Sequence, residues 1–232
     1  MNAKKLMIIA IAVVLLTTTL TLKMLDSHNN QPSTMPTHGF PIKVTCVGDS
    51  ITQDSEYPLD LQTMLGNNYS VGNFGSREST VLRISWKPYM NQSEFQGAMD
   101  FQPDIVVIML GTNDGLWMLQ SFNESFEEDY AMLIGCFRQL DSNPQILIVK
   151  SPPIFSNCSD LSPAFHSETI IHMTEDLASR LNLPIIDVYS TFSDHAEYFD
   201  DGVHPNSDGA ALIASQVYGA ISEPDLPTTW QL

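Results

Sequence analysis

Short apolar runs alternate with amphipathic segments along most of the chain. Residues 42–47 are mostly apolar and are predicted to form the first strand. Residues 105–110 form an unbroken apolar run, which is typical of a parallel strand buried on both faces. Between them, residues 57–65 have apolar side chains at helical spacing and stop at a Gly-Asn-Asn sequence, a pattern that predicts a helix and its end. Strand and helix therefore alternate from the start of the pattern.

The rest of the chain continues this alternation. Apolar residues recur every three or four positions over residues 124–140, which predicts an amphipathic helix. The other predicted elements are a short second strand at 69–71, a fourth strand at 146–149, a helix at 163–181, a fifth strand at 184–188, and a last helix that begins at Asn206 or Ser207 and runs to Tyr218. This order predicts a parallel sheet with right-handed crossovers and helices on both faces.

Polar turns follow several of the predicted strands. Gly48-Asp49-Ser50 follows the first strand, Asn73-Phe74-Gly75 the second, and Gly111-Thr112-Asn113-Asp114 the third. Parallel strands end at a common edge of the sheet, where open α/β folds bind their ligands. We therefore take Ser50 as a candidate nucleophile, although a plain strand-to-helix turn has the same composition.

A serine nucleophile needs a base within hydrogen-bonding distance. His204 is the best candidate, because it lies in a loop bounded by Gly and Pro between the last strand and the last helix. Asp201, three residues earlier, can bind the other ring nitrogen and fix the tautomer of the imidazole. The alternative interpretation is a helix-entry loop whose polar residues are incidental.

Taken together, these spaced blocks resemble those of the SGNH (GDSL) hydrolase family. Residues 48–50, 111–114 and 201–205 match the first, third and fifth blocks of that family, and the resemblance extends from about residue 42 to residue 220. It implies a three-layer α/β/α, flavodoxin-like, doubly wound sheet of about five parallel strands. Within the family, the chain is most similar to small secreted bacterial-type esterases that act on acylated carbohydrates.

The resemblance also implies a role for each residue. Ser50 would attack an ester carbonyl, His204 would take and return its proton, and Asp201 would orient His204. Asn113 and the backbone N–H of Ser50 would donate hydrogen bonds to the oxyanion. The implied activity is hydrolysis of short O-acyl esters, above all O-acetyl esters, on carbohydrate-like substrates, with no metal or organic cofactor. The alternatives are a lysophospholipase or thioesterase for longer acyl chains, and a catalytically weak carbohydrate-binding module that keeps the fold.

The second block of the family departs from the expected pattern at one position. The family pattern is close to Asn-x-Gly-x-Ser-Gly-x-Thr, and an ungapped alignment with residues 73–80 places Glu78 where the second glycine is expected. The backbone N–H of that glycine is an oxyanion donor in the family. We expect Glu78 to contribute only its backbone N–H, with its carboxylate turned away or paired with Arg77 or Arg83. The alternative is a shifted loop in which Gly75 supplies the donor.

Residues 80–96 have no clear period, and we predict a functional loop with a short helix. Lys87 and Tyr89 in this segment, and Trp117 after the third block, are candidate substrate contacts. The same aromatic residues would be expected in a cluster that only packs the loop onto the domain.

Charge narrows the choice of partners. The chain carries 27 acidic and 10 basic residues, a net charge of −17. Such a surface repels nucleic-acid phosphates and anionic membranes, so neutral or cationic partners are expected and nucleic acid is not. Among neutral partners, the family resemblance implies a small-molecule or glycan ester as the substrate. The composition indicates no oligomeric state.

The N-terminus has the pattern of an export signal. Two lysines precede a 17-residue uncharged apolar run, so residues 1–23 are predicted to be a signal peptide or a signal anchor. Residues 24–41 are predicted to be a flexible linker, 42–222 the hydrolase domain and 223–232 a tail. The expected location is outside the cytoplasm, with membrane contact only if the N-terminal segment is not cleaved.

Overall fold

Five parallel strands form one sheet in the order β2-β1-β3-β4-β5. The computed structural model describes residues 41–116, 120, 123–155 and 160–222. The strands are β1 (Ile42–Gly48), β2 (Tyr69–Gly75), β3 (Ile105–Met109), β4 (Gln145–Val149) and β5 (Ile185–Ile186). The chain order reverses between β1 and β3, which makes the gap beyond their carboxyl ends the place where such sheets bind ligands.

Helices cover both faces of this sheet. In chain order they are α1 (Ser50–Asp54), α2 (Tyr57–Leu65), α3 (Ser93–Asp100), α4 (Asn123–Arg138), α5, α6 (Val188–Thr191) and α7 (Ser207–Ser222). Helix α5 is composite: it begins as Pro163–Phe165, continues as a π-helical turn over His166–Ile170 and ends as Ile171–Arg180. The architecture is the three-layer α/β/α sandwich that the sequence predicts.

Each face of the sheet has its own apolar core, because successive strand residues point to opposite faces. All five residues of β3 are buried. On one face, Val106 and Ile108 pack with buried residues of α3, α4 and α5. On the other face, Val107 and Met109 pack with α2, α6 and α7. A strand covered on both sides cannot alternate apolar with polar residues, which explains the unbroken run in the sequence.

Several boundaries agree with the sequence pattern, and others differ for local reasons. Helix α2 has the predicted bounds. Strand β2 continues through the predicted Gly-rich turn to Gly75, because each of its residues pairs with β1. Strand β5 is shorter than predicted, since Asp187 caps the start of α6 by accepting a hydrogen bond from the N–H of Ser190 at 2.8 Å.

The segment over residues 80–96 is mostly irregular, as expected, with a short 3₁₀ turn at Tyr89–Asn91 before α3. The signal, linker and tail predicted at the two ends lie outside the described residues, apart from residue 41. Among the residues that the structure describes, no helix is long and apolar enough to cross a membrane. The domain boundaries therefore remain predictions.

Candidate active site

Ser50 is the first residue of α1 and is separated from the end of β1 by Asp49 alone. The turn that holds it is tight: a Cβ atom on Gly48 would lie 1.9 Å from Thr52 Oγ1 and 2.8 Å from the carbonyl oxygen of Met109, so only glycine fits there. Asp49 caps α1 by accepting a hydrogen bond from the N–H of Ile51 at 2.9 Å. Local sterics and capping therefore hold Ser50 at the carboxyl edge, beside the β1–β3 reversal.

Ser50, His204 and Asp201 lie in one chain of hydrogen bonds. Ser50 Oγ is 2.9 Å from His204 Nε2, and His204 Nδ1 is 2.7 Å from Asp201 Oδ2. The other carboxylate oxygen, Asp201 Oδ1, accepts hydrogen bonds from the N–H groups of Val203 at 2.9 Å and His204 at 2.7 Å. With the Nδ1 proton donated to Asp201, Nε2 can accept the hydroxyl proton of Ser50. Ser50 and His204 lie 154 positions apart in the sequence. The fold thus brings the three predicted residues together.

The Asp201 carboxylate, at the end of these hydrogen bonds, is partly exposed to solvent. The Asp201 side chain is 58% exposed and that of His204 is 45% exposed. Partial burial tends to raise the pKa of Asp201, but hydrogen bonds from the backbone and ring of His204 and from Val203 outweigh it and lower the pKa to about 2. Asp201 is therefore ionised at every pH above about 3.

Asn113 lies in the turn after β3 and faces the loop that follows β2. Its Nδ2 atom donates to the carbonyl oxygen of Ser79 at 3.0 Å. An amide nitrogen carries two hydrogens, so this bond orients the group and leaves a second hydrogen for an acceptor in the site. The start of the same loop is tied to β1, because the N–H of Ser76 donates to the carbonyl oxygen of Gly48 at 2.9 Å.

Glu78 has a backbone conformation that favours glycine. Its φ is +58°, in the left-handed region that L-residues rarely adopt. The side chain is exposed, whereas the neighbouring Ser79 is buried. The backbone therefore keeps the left-handed turn that glycine favours, and the Glu78 side chain lies on the solvent side.

Arg77 pairs with a residue that the sequence did not suggest. Its Nε and Nη2 atoms both lie 2.8 Å from Asp54 Oδ1, on α1. The guanidinium of Arg77 is thus engaged by α1, and a pairing of Glu78 with Arg77 or Arg83 stays a prediction. Asp54 had a positional signal that could have been used, because it lies one helical turn after Ser50.

Gly75 is a poor candidate for the missing donor. Its N–H already donates to Asn73 Oδ1 at 3.0 Å. A Cβ atom at this position would lie 2.2 Å from the backbone nitrogen of Gln53, so glycine is needed for the packing of β2 against α1. Both observations favour the Glu78 N–H over the Gly75 alternative.

Asp114 was not singled out from the sequence, yet it anchors the loop after β2. Its carboxylate accepts hydrogen bonds from the N–H groups of Val81 at 3.0 Å and Leu82 at 2.9 Å. Burial raises the pKa of Asp114 to about 7 against the opposing effect of those two bonds. Burial likewise raises the pKa of Asp49 to about 6. The only sequence signal for Asp114 was its position next to Asn113.

The candidate substrate contacts have different outcomes. Tyr89 is fully buried, and its hydroxyl donates to the carbonyl oxygen of Phe74 at 2.7 Å. The prediction that Tyr89 contacts substrate is therefore wrong, because the ring belongs to the core. Lys87 is half-buried, and its carbonyl oxygen accepts from the N–H of Thr80 at 3.1 Å; its role with substrate stays a prediction. Trp117 lies outside the described residues.

A small open pocket lies beside the candidate nucleophile. Its lining residues are Ser50, Ile51, Asp54, Ser55, His204 and Pro205. Within the described part of the chain, no group of three or more His, Cys, Asp or Glu side chains is arranged to hold a metal ion. The arrangement of Ser50, His204 and Asp201 can perform acyl transfer, because a serine lies next to a base and the base next to a carboxylate.

The chain is similar in sequence to known proteins. The model of the GDSL-like lipase/acylhydrolase family matches residues 46–212. An acetylxylan esterase of Xylanibacter ruminicola is 31% identical, with an alignment that covers 78% of this chain and 43% of that protein. The chain thus spans less than half the length of this curated relative.

Solved structures of low sequence identity share the fold. A carbohydrate acetylesterase family member from Sinorhizobium meliloti matches with a TM-score of 0.62 at 21% identity, covering 78% of this chain and 97% of that one. The acetyl xylan esterase AlAXEase matches with a TM-score of 0.63 at 22% identity, covering 78% of this chain and 100% of that one.

Proposed function

Because the chain belongs to the GDSL-like lipase/acylhydrolase family, we propose that it is a serine esterase that removes short O-acyl groups, acetyl first among them, from carbohydrate-like alcohols. The observation that carries the proposal is the hydrogen-bonded chain from Ser50 Oγ through His204 to Asp201, with distances of 2.9 and 2.7 Å. The preference for acetylated carbohydrate is supported by the acetylxylan esterase relative.

The proposed reaction has two stages. His204 Nε2 takes the proton of Ser50 as Oγ attacks the ester carbonyl carbon, and Asp201 stabilises the imidazolium that forms. The oxyanion accepts hydrogen bonds from Asn113 Nδ2 and from the N–H groups of Ser50 and Glu78. Collapse of the tetrahedral intermediate breaks the bond to the alcohol, which leaves with the proton of His204.

In the second stage, water replaces the alcohol. His204 takes a proton from the water as the water oxygen attacks the acyl-Ser50 carbonyl, and the same donors stabilise the second oxyanion. Breakdown returns the proton to Ser50 Oγ and releases the carboxylic acid. Each oxyanion donor of this kind contributes about 3–4 kcal/mol to the transition state.

Covalent labelling tests the proposal directly. The purified domain is treated with a fluorophosphonate probe and assayed with aryl acetates and monoacetylated sugars. We expect labelling and hydrolysis in the natural chain and in Ser93→Ala, a control at an exposed serine at the start of α3, and neither in Ser50→Ala. Absence of Ser50-dependent labelling in a folded sample would refute the esterase function and leave the binding-module alternative.

A second candidate function is hydrolysis of longer acyl esters. The loop after β2 exposes two large apolar side chains, Ile84 at 65% and Trp86 at 52%. Such residues suit an acyl chain that lies along the surface. A series of aryl esters from acetyl to octanoyl tests this function. A kcat/KM that rises with acyl-chain length would favour a lysophospholipase or thioesterase function over an acetylesterase function.

We also propose export, supported by the lysines and apolar run at residues 1–23. Cell fractionation of the full chain, with and without those residues, tests it; retention of both forms in the cytoplasm would refute it.

A further inference from the structure

The ion pair between Asp54 and Arg77 lies at the pocket beside Ser50. Asp54 follows Ser50 by four residues on α1, so the two side chains share one face of that helix, and both line the pocket. Arg77 reaches Asp54 from the loop after β2, and its own backbone N–H donates to Gln53 Oε1 at 2.7 Å. Two segments that carry site residues are thus joined by this pair.

The alcohol part of the substrate must meet His204 before it leaves. His204 must deliver its proton to the oxygen of the departing alcohol, so that oxygen must come within hydrogen-bonding distance of Nε2. The pocket is lined by both Ser50 and His204, with Pro205 and Asp54 continuing its wall. A substrate bound for attack by Ser50 would therefore place its alcohol part in this pocket, next to Asp54.

The chemistry of the pair suits hydroxyl groups. Both bonds from Arg77 go to Oδ1 of Asp54, and a carboxylate has acceptor capacity on its second oxygen as well. The guanidinium has five N–H donors, of which Nε and Nη2 supply those bonds. Acceptor and donor side by side match the alternating roles of neighbouring sugar hydroxyls.

The pair also has no net charge. In a chain with a net charge of −17, an unpaired Asp54 would add to a field that attracts cationic alcohols. Arg77 cancels the charge of Asp54 at the pocket, which favours a neutral polyol.

We propose that Asp54 and Arg77 form the subsite for the alcohol part of the substrate, and that they select a sugar with free hydroxyls beside the ester. This inference rests on the proposed esterase function. The two residues determine specificity; they do not take part in bond making. The ordinary alternative is an exposed ion pair that has no effect on substrate choice.

The chain offers a matched control for that alternative. Arg180 and Glu127 form another ion pair at 2.9 Å, joining α5 to α4, with side-chain exposures of 55% and 25%. The corresponding values for Arg77 and Asp54 are 66% and 31%. Loss of either pair should therefore disturb stability to a similar degree, and only one of them lies at the pocket.

The test compares two acetyl esters that differ in the alcohol alone. The probes are a methyl xyloside carrying one acetyl group and 4-nitrophenyl acetate, which has no hydroxyl beside the ester. We expect Asp54→Ala and Arg77→Ala to lower kcat/KM on the sugar ester by about tenfold to a hundredfold, mainly through KM, because each variant removes hydrogen-bonding partners of the sugar hydroxyls. On the aryl ester the change should stay within about threefold, and Arg180→Ala should alter neither.

Other outcomes overturn the inference. Equal losses on both esters would mean that the pair only supports the site, and no loss on either would mean that it is an inert surface pair. A changed preference for acyl length, read from aryl butyrate against aryl acetate, would place the pair on the acyl side. If the natural chain shows no Ser50-dependent hydrolysis of aryl acetate, the proposed function itself fails, and that result is separate from those above.

Discussion

Replacement of Glu78 by glycine tests whether this residue serves the site through its backbone alone. Glu78 has a φ of +58°. The left-handed conformation costs an L-residue about 1–2 kcal/mol, whereas glycine adopts it freely. Glycine also gives the unfolded chain more conformational freedom, which lowers the unfolding free energy by about 0.4–1 kcal/mol. The net gain in unfolding free energy is therefore about 0–1.5 kcal/mol.

For a domain of this size, that gain corresponds to a rise in Tm of up to about 6 °C. Because the N–H of residue 78 is retained and only an exposed negative charge on the same residue is removed, kcat should be unchanged or higher. Thermal unfolding by circular dichroism and steady-state hydrolysis of aryl acetate measure the two effects. Glu78→Ala separates them, since alanine removes the carboxylate and keeps the backbone strain.

Gln102→Gly is the matched control. Gln102 is exposed, follows α3 and has a φ of +50°, so its replacement should change Tm without changing kcat. A loss of more than about tenfold in kcat for both Glu78 variants would refute the reasoning, because it would assign the carboxylate a catalytic role of about 1.4 kcal/mol or more. A lower Tm for Glu78→Gly would contradict the strain argument.

Four further predictions follow from individual contacts. Asn113→Ala should lower kcat by about 100- to 1,000-fold with little change in KM, because an oxyanion donor is lost; an equal rise in KM would argue for a substrate-binding role instead. Asp201→Asn should lower kcat while leaving fluorophosphonate-accessible Ser50 in place, and unchanged kcat would show that the exposed carboxylate does not orient the imidazole. Tyr89→Phe should cost about 0.5–1.5 kcal/mol of unfolding free energy with kcat and KM unchanged, measured by urea unfolding; a raised KM would restore Tyr89 as a substrate contact. Burial raises the pKa of Asp114 in the folded state from 3.8 to about 7, so its contribution to stability is complete below pH 4 and is lost as the pH rises to 7. Asp114→Asn should therefore flatten the fall of Tm between pH 4 and pH 7, and an unchanged slope would contradict this prediction.

Sequence patterns predicted the elements whose signal is local. Helix α2 was placed at its true bounds because its apolar spacing and its Gly-Asn-Asn stop lie within one short stretch. Strand β5 was too long in the prediction, since the cap that Asp187 makes with Ser190 competes with the strand and leaves no periodic trace. The sequence does not show that Tyr89 is buried, because an aromatic residue in an aperiodic segment has the same sequence context whether it faces solvent or the core.

The candidate reactive residues could be predicted from the sequence because they lie in motifs of fixed order and spacing. These residues are Ser50, Asn113, Asp201 and His204. The hydrogen-bonding partners of the supporting residues could not be predicted from the sequence. Asp54 meets Arg77 from 23 residues away, and Asp114 meets Leu82 from 32 residues away. Hydrogen bonds of this kind depend on how β2 and its loop pack against α1 and β3, and no local period or motif encodes that packing. The motifs therefore identify the candidate reactive residues, whereas the loop after β2 and the pocket beside Ser50 form only when the sheet brings distant turns to one edge.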